Sequence, residues 1–411
     1  MTSRVISPLP EQSRPARARL PWASVAGSAV GYAMDGFDFL LLGFVMPSLV
    51  KDLHLDMVQG SWLVTATLLG TVAGGLGFGL LSDALGRIRV LAISILVFAL
   101  FTGLCAFAHS YAELLACRVA AGVGLGGEFG IGMALVAESW PPAYRARASS
   151  YVGLGWQAGV FLAAISTPLL LPLIGWRGMF LLGAVPALVA VFIRRGLAEP
   201  AGSPRPAASA RPGLSLRPLL GSAAARRTAL GILVLCSVQN FCYYGVMIWL
   251  PNYLAGHFGY TLTRTGLWTA TTVLGMAAGI ASFGHVADRL GQKIAFRTWM
   301  CGAAIMVVVY SQMTTPPGLL VAGAAMGFFV NGMIGGYGAL ISDSYPATIR
   351  ATAQNLLFNG GRLVGGFGPV VMGALSVSWG IGRTIAVLSI LYLIDIAALA
   401  LISDTQETPA S

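Results

Sequence analysis

Two multi-residue patterns recur along this chain at one fixed offset, and that repeat limits what it can fold into. Gly79-Leu-Leu-Ser-Asp83-Ala-Leu-Gly86-Arg87 returns 205 positions later as Gly284-His-Val-Ala-Asp288-Arg-Leu-Gly291-Gln292-Lys293. Glu138-Ser-Trp-Pro141, followed by Arg145-Ala146, returns at the same offset as Asp343-Ser-Tyr-Pro346, followed by Arg350-Ala351. Chance rarely places two such patterns at a single offset in 411 residues. The chain therefore reads as two equivalent halves.

Each half is strongly apolar. Charged residues make up 10% of the chain and hydrophobic ones 56%, against about 25% charged in a soluble domain. Mean hydropathy is +0.78. Apolar runs long enough to cross a bilayer are predicted near 23–49, 60–81, 88–108, 112–137, 147–171, 178–194, 227–250, 265–284, 294–312, 317–341, 351–376 and 382–402. Backbone groups cannot stay unpaired in hydrocarbon, so the spans are read as helices. The short alternating segments of a barrel are absent. The expected fold is an all-α membrane protein with twelve transmembrane helices in two pseudo-symmetric six-helix bundles, 21–195 and 227–403. A disordered tail at 1–20, a linker at 196–226 rich in Pro, Ala, Ser and Arg, and a short tail at 404–411 complete the organisation.

The net charge of +10 is not a nucleic-acid footprint. Arg4, Arg14, Arg87, Arg89, Arg145, Arg147, Arg195, Arg226, Arg289, Lys293 and Arg350 all fall on one side of the twelve-span arrangement, whereas Lys51, Arg177, Arg264 and Arg383 fall on the other. This bias places both termini in the cytoplasm of a cell-membrane protein, with lipid as a partner. No cleavable leader is expected, because Pro8, Pro10, Pro15 and Pro21 interrupt the first residues. Cys105, Cys117, Cys236, Cys242 and Cys301 lie in predicted spans and read as packing residues, with no metal site. Gly122, Gly126 and Gly130 form a small-residue stripe on the fourth span that favours close helix approach.

Over its whole folded length the chain resembles a major facilitator superfamily transporter. The resemblance rests on the doubled loop signature and on Arg118-Val-Ala-Ala-Gly122-Val-Gly124-Leu-Gly126 in the fourth span. Asp35-Gly36-Phe37-Asp38 in the first span is similar to the organic-acid:proton symporters, including the aromatic-acid branch. Gly126-Gly127-Glu128-Phe129-Gly130 and Val136-Ala137-Glu138-Ser139-Trp140-Pro141 resemble the sialate and monocarboxylate branch. The resemblance implies that Arg118 takes part in proton coupling. It also implies that Asp83, Arg87, Glu138, Arg145, Asp288, Arg289, Lys293, Asp343 and Arg350 latch the halves together at the cytoplasmic ends of the helices, alternately made and broken. Gln292 stands where the first half has Arg87, so the two latches are expected to be unequal.

A charge near the bilayer midplane costs about 2.5–3.5 kcal/mol on insertion scales, so those present need a reason. Asp35 and Asp38 share a face of the first span, with no basic residue in that span to neutralise them. Two close carboxylates resist double ionisation, which suits a proton site. The alternative is a structural pair bonded to a neighbouring helix. Glu128 is a second candidate acceptor, or a buried acid bonded to the first or second span. It lies ten residues from Arg118, about 15 Å along a helix, too far for a direct pair.

In the eleventh span Asn355, Asn359 and Arg362 form a polar stripe. The Arg362 guanidinium can hold a substrate carboxylate through two parallel hydrogen bonds. Its alternative is a resting pair with an acid such as Asp35 or Asp395, and the two roles can coexist. Gln239, Asn240, Tyr243 and Tyr244 in the seventh span and Asn331 in the tenth are further candidates for lining a substrate cavity. Asn240 is the counterpart of Asp35, so one half carries the ionisable group and the other a neutral one. Asp395 receives no role.

The expected function is proton-coupled import of a small organic carboxylate by a monomer. The substrate is a monocarboxylate such as lactate or pyruvate, a sugar acid, or an aromatic acid, and protons serve in place of any cofactor. A drug:proton antiporter is disfavoured because the fifth span lacks a Gly-Pro motif. A nutrient sensor is disfavoured by the short tails.

Overall fold

The computed structural model describes residues 21–55, 57–185, 217–259 and 262–402. The expected tails at 1–20 and 404–411, most of the linker, and the end of the sixth span lie outside the described residues. The first half contains α1 (Trp22–Asp52), α2 (Met57–Leu85), α3 (Arg87–Cys105), α4 (Tyr111–Ser139) and α5 (Arg145–Leu182). The second half contains α6 (Ala223–Phe258), α7 (Leu262–Leu290), α8 (Gln292–Ser311), α9 (Pro316–Gly332), α10 (Ile334–Ser344), α11 (Arg350–Gly365), α12 (Gly368–Trp379) and α13 (Ile381–Ala398). Among the described residues, 8 helical segments are long and apolar enough to cross a membrane.

The helices differ from the expected spans where glycine or proline interrupts the ladder. Gly175 has φ 64°, and α5 turns there, so one helical run holds the fifth span and the start of the sixth. The tenth span is broken into α9 and α10, where the Gly336 amide bonds Met333 O in a tighter turn. The eleventh is broken into α11 and α12. There Pro369 has no N–H for the carbonyl of Gly365, and Phe367 N closes a short turn on Val364 O. Helix also reaches into the expected linker. Arg217–Leu220 forms a single turn, and α6 starts at Ala223 because the Ser222 side chain accepts from Ala225 N at 3.0 Å.

The repeat seen in the sequence reappears in the packing. Gly70 and Gly74 of α2 lie against the carbonyls of Val119 and Val123 in α4, and Gly275 and Gly279 of α7 lie against those of Ala324 and Phe328 in α9. Gly122 meets Thr67 O, and Gly327 meets Thr272 O. All of these pairs are related by the offset of the loop signatures. The stripe on α4 is shared between two partners: Gly122 and Gly126 face α2, whereas Gly130 faces Asn355 of α11.

The two ends of the molecule are built differently. Toward one end, Leu41, Leu42, Val45, Leu49, Leu63, Leu114, Met179 and Phe180 form a core within the first half alone. A second core, which includes Phe129, Trp156, Tyr243 and Phe358, runs through both halves from the centre to the end that carries the loop signatures, called the basic end below, and continues within the second half to Leu254, Tyr310 and Leu319 at the opposite end. Opposite the basic end, Arg177 and the Trp176 indole N–H donate to Asp52, and these bonds hold its carboxyl below the usual carboxylate range.

A methyl group at position 74 or 279 would overlap the carbonyl of the facing helix. Gly74→Ala and Gly279→Ala should each destabilise the fold by about 1–3 kcal/mol. Gly77→Ala should cost nothing, because Gly77 faces open space. Thermal unfolding of the three purified variants in detergent checks this, and equal midpoints for all three would contradict the packing.

Candidate functional site

Two buried ion pairs occupy the centre, both beginning on α1. Arg362 of α11 reaches across to Asp35 with two parallel bonds, Nη1 to Oδ2 at 2.8 Å and Nη2 to Oδ1 at 3.1 Å. Arg118 of α4 holds Asp38 in the same way, at 3.0 and 2.7 Å. Thr102 also donates to Asp38, and the Arg118 Nε donates to Thr67 Oγ1. Asp35 and Asp38 are both 0% exposed. With no basic residue on α1, the neutralising bases come from α4 and α11, and the Arg362–Asp35 bond is the resting pair named as the alternative for Arg362. The acids do not form a mutual pair, since Asp38 turns to α4 and Asp35 to the other half.

Both ion pairs line one cavity of about 20 Å³, together with Phe39, Leu42, Thr67, Leu68 and Thr71. That is room for roughly one water molecule. Glu128 is also buried, against Gly31 of α1. Among the described residues neither of its carboxylate oxygens has a hydrogen-bond partner, so the alternative of an acid bonded to the first or second span is not what the structure shows. Asp395 of α13 is fully buried with both oxygens likewise unpartnered.

The asparagines expected to line a cavity are engaged elsewhere in this conformation. Asn355 Oδ1 accepts from Gly130 N at 2.9 Å, and Asn359 Nδ2 donates to Gly126 O at 2.8 Å. Gln239 donates to Asn331, and Asn240 donates to the Cys236 carbonyl of its own helix. The counterpart of Arg362 in the repeat is Gln157, whose amide contacts the Met276 sulfur at 4.0 Å. The crossing related by symmetry to Asp35–Arg362 is thus neutral and unbridged.

Aromatic rings surround the Arg362 guanidinium. Its centre sits 5.3 Å from the Trp156 ring centroid, and its Nε contacts the Tyr244 hydroxyl at 3.4 Å. Trp156 donates from Nε1 to the Tyr243 hydroxyl at 3.1 Å. Phe39 stacks on Tyr244 at 5.2 Å, and Tyr32 packs on Trp156 at 5.3 Å. The sequence reading picked out Tyr243 and Tyr244 but missed Tyr32, Phe39 and Trp156. Tyr32 and Phe39 lie within a turn of Asp35 and Asp38 in sequence, which was an available signal. Trp156 carries no polar pattern that would mark it.

At the basic end the loop signatures bond across the halves. Arg87 is fully buried, donates to Asp83 and Glu138 in its own half, and donates to Ala347 O of the other half at 2.8 Å. Asp83 caps the start of α11, accepting from Thr352 N at 3.0 Å and Thr352 Oγ1 at 2.6 Å. Asp288 repeats this at the start of α5, accepting from Arg147 N at 3.3 Å. A carboxylate at a helix N-terminus satisfies free amides and complements the helix dipole. Arg145 pairs with Asp343 at 2.8 Å, and Arg350 lies 3.6 Å from Glu138. Gln292 donates to Asp343 at 2.7 Å where Arg87 makes a charged bond to Glu138. Arg289 is exposed, and Lys293 donates to Ile402 O in its own half. Arg147 and Thr352 were missed, although the offset relates them to each other.

The family profile described as Major Facilitator Superfamily matches residues 28–283 and 241–411. A Haemophilus influenzae protein described as a candidate metabolite transport protein is 56% identical over 92% of this chain and 94% of its own length. A niacin transporter of Acinetobacter baylyi is 29% identical, covering 91% of each chain. The solved proton:xylose symporter XylE superposes with a TM-score of 0.78 at 16% identity, covering 93% of this chain and 96% of its own, and so supports the fold.

The Arg118–Asp38 pair supplies its own test. Asp38→Ala leaves a buried guanidinium unpaired and should cost about 3–5 kcal/mol of stability. Asp38→Ala combined with Arg118→Met removes both charges and should recover most of that loss. Thermal unfolding of the single and double variants measures it, and a double variant no more stable than the single one would contradict the pairing.

Proposed function

The chain belongs to the major facilitator superfamily and is a multi-pass membrane transporter, not an enzyme, and from that premise we propose that it imports a small organic carboxylate together with a proton. The observation that carries this reading is the two-point Arg362–Asp35 bond between the halves. A substrate carboxylate can take the guanidinium only if Asp35 gives it up. Releasing Asp35 as a bare anion in this buried setting is costly. A proton on Asp35 removes that cost, so proton and substrate enter together and one carboxylate replaces the other on Arg362. This is coupling in the thermodynamic sense, since each ligand raises the affinity for the other.

The basic end is read as cytoplasmic, which makes the cross-half bonds there the inner gate, closed in this conformation. Rocking the halves breaks them and opens the site inward. Asp38 with Arg118, and Glu128 one turn of α1 from Asp35, are further stations for the proton. With one proton per monoanion the step is electroneutral, driven by about 1.4 kcal/mol per pH unit and by the substrate gradient.

Between substrates, the lining favours acids with a flat unsaturated body. Phe39, Trp156 and Tyr244 around Arg362 offer ring faces, which lactate, pyruvate or a polyhydroxylated sugar acid uses poorly. The niacin transporter among the relatives is consistent with this second reading.

Internal pH of proteoliposomes tests the reading, with lactate, pyruvate, sialate, benzoate and nicotinate added in turn. Wild type should acidify with one or a few of these acids and Arg362→Ala with none. Asp35→Asn should keep labelled-substrate exchange while losing proton movement. Alkalinisation, or exchange without a proton signal in wild type, would sink symport. Trp156→Ala should raise KM for the aromatic acids roughly two- to tenfold, and an unchanged KM would remove the preference for flat substrates.

A further inference from the structure

We propose that Asn355 and Asn359 are a clamp on the backbone of α4 that holds the basic end shut and lets go when the halves rock. The proposal rests on the alternating-access reading for its place in a cycle, but the clamp itself is a matter of geometry. Gly130 N–H and Gly126 O are the donor and acceptor of a single i→i−4 rung in α4. Asn355 accepts from that N–H at 2.9 Å, and Asn359 donates to that carbonyl at 2.8 Å. Two amides from one half thus straddle one helical rung of the other. Both side chains are buried, at 0% and 1% exposure.

The register is built for this contact. Asn355 and Asn359 are four residues apart in α11, and Gly126 and Gly130 are four apart in α4, so both pairs span one turn. Glycine is required on the facing helices: a methyl group at 130 would overlap the Asn355 amide, and one at 75 would overlap the Asn359 amide. The Phe129 and Phe358 rings stack beside the rung at 3.6 Å.

The clamp is also the middle of a longer seam. Along one face of α11, Thr352 bonds Asp83, Asn355 bonds Gly130, Asn359 bonds Gly126 and Arg362 bonds Asp35. Every member of this stripe is tied to the first half, so loosening Arg362 at the centre frees one end of the seam. Opening leaves α4 satisfied, because Gly130 N–H and Gly126 O can pair with each other. The cost falls on the amides of α11. Among the described residues Asn355 Nδ2 and Asn359 Oδ1 have no hydrogen-bond partner, and water entering the opened site can satisfy both amides.

Distances between spin labels at Ala143 and Thr348, exposed positions on opposite halves of the basic end, test the clamp in a cysteine-free background. The variants are Asn355→Ala, the double Asn355→Ala with Asn359→Ala, and Gly130→Ala, which keeps both asparagines but blocks their approach. Each should populate a longer distance than wild type without any substrate. The double variant should raise the open-to-closed ratio on the order of tenfold. Wild-type distances in all variants that elute as folded monodisperse protein would overturn the proposal. The measurement needs neither substrate nor a pH gradient. A shift in distance without carboxylate-driven proton movement would keep the clamp and remove the symport reading, and intact symport with no shift would do the reverse.

Discussion

A guanidinium without water must find its counter-charge in protein, and the Arg362–Asp35 bond is where this molecule meets that requirement between its halves. Asp35, Asp38, Arg118 and Arg362 are buried in the central region as two two-point pairs. One pair closes within the first half and fixes α1 to α4. The other closes between halves and fixes α1 to α11. Neither carboxylate can leave its arginine without a replacement, because the interior offers no solvent to take the charge.

The same logic in a milder setting shapes the basic end. Asp83 and Asp288 each cap the first turn of a helix belonging to the opposite half. Their bonding energy is largely that of satisfying free amides, which is available only while the halves meet. The seal is thus made of helix ends that need a partner and lose it together when the halves part.

Much of this was legible in the sequence. The repeat offset identified related positions so well that glycine-to-carbonyl contacts obey it residue by residue. Asp35, Asp38, Arg118 and Arg362 stood out because charge is expensive in an apolar span, and all four meet at the centre. Which acid meets which arginine was not legible, since the i, i+3 spacing of Asp35 and Asp38 gives a shared face but not the neighbours on either side of it. The asparagines misled for a related reason. An amide in a polar stripe looks the same whether it faces a cavity or another helix's backbone, and only the facing glycines at 75, 126 and 130 decide. The breaks in the tenth and eleventh spans were hidden because hydropathy averages over the glycines and the proline that cause them.

The repeat is imperfect at one crossing, where Asp35 and Arg362 face each other in one direction while their counterparts Asn240 and Gln157 remain neutral. Two identical halves joined face to face would have carried that bridge twice. Both diagonals of the centre would then have been tied by charge. Keeping charge on one copy alone leaves the crossing with one charged bridge between the halves and one neutral contact. A repeat that is even in its glycine contacts is thus uneven in charge, and the halves are tied electrostatically along one diagonal of the centre and not the other.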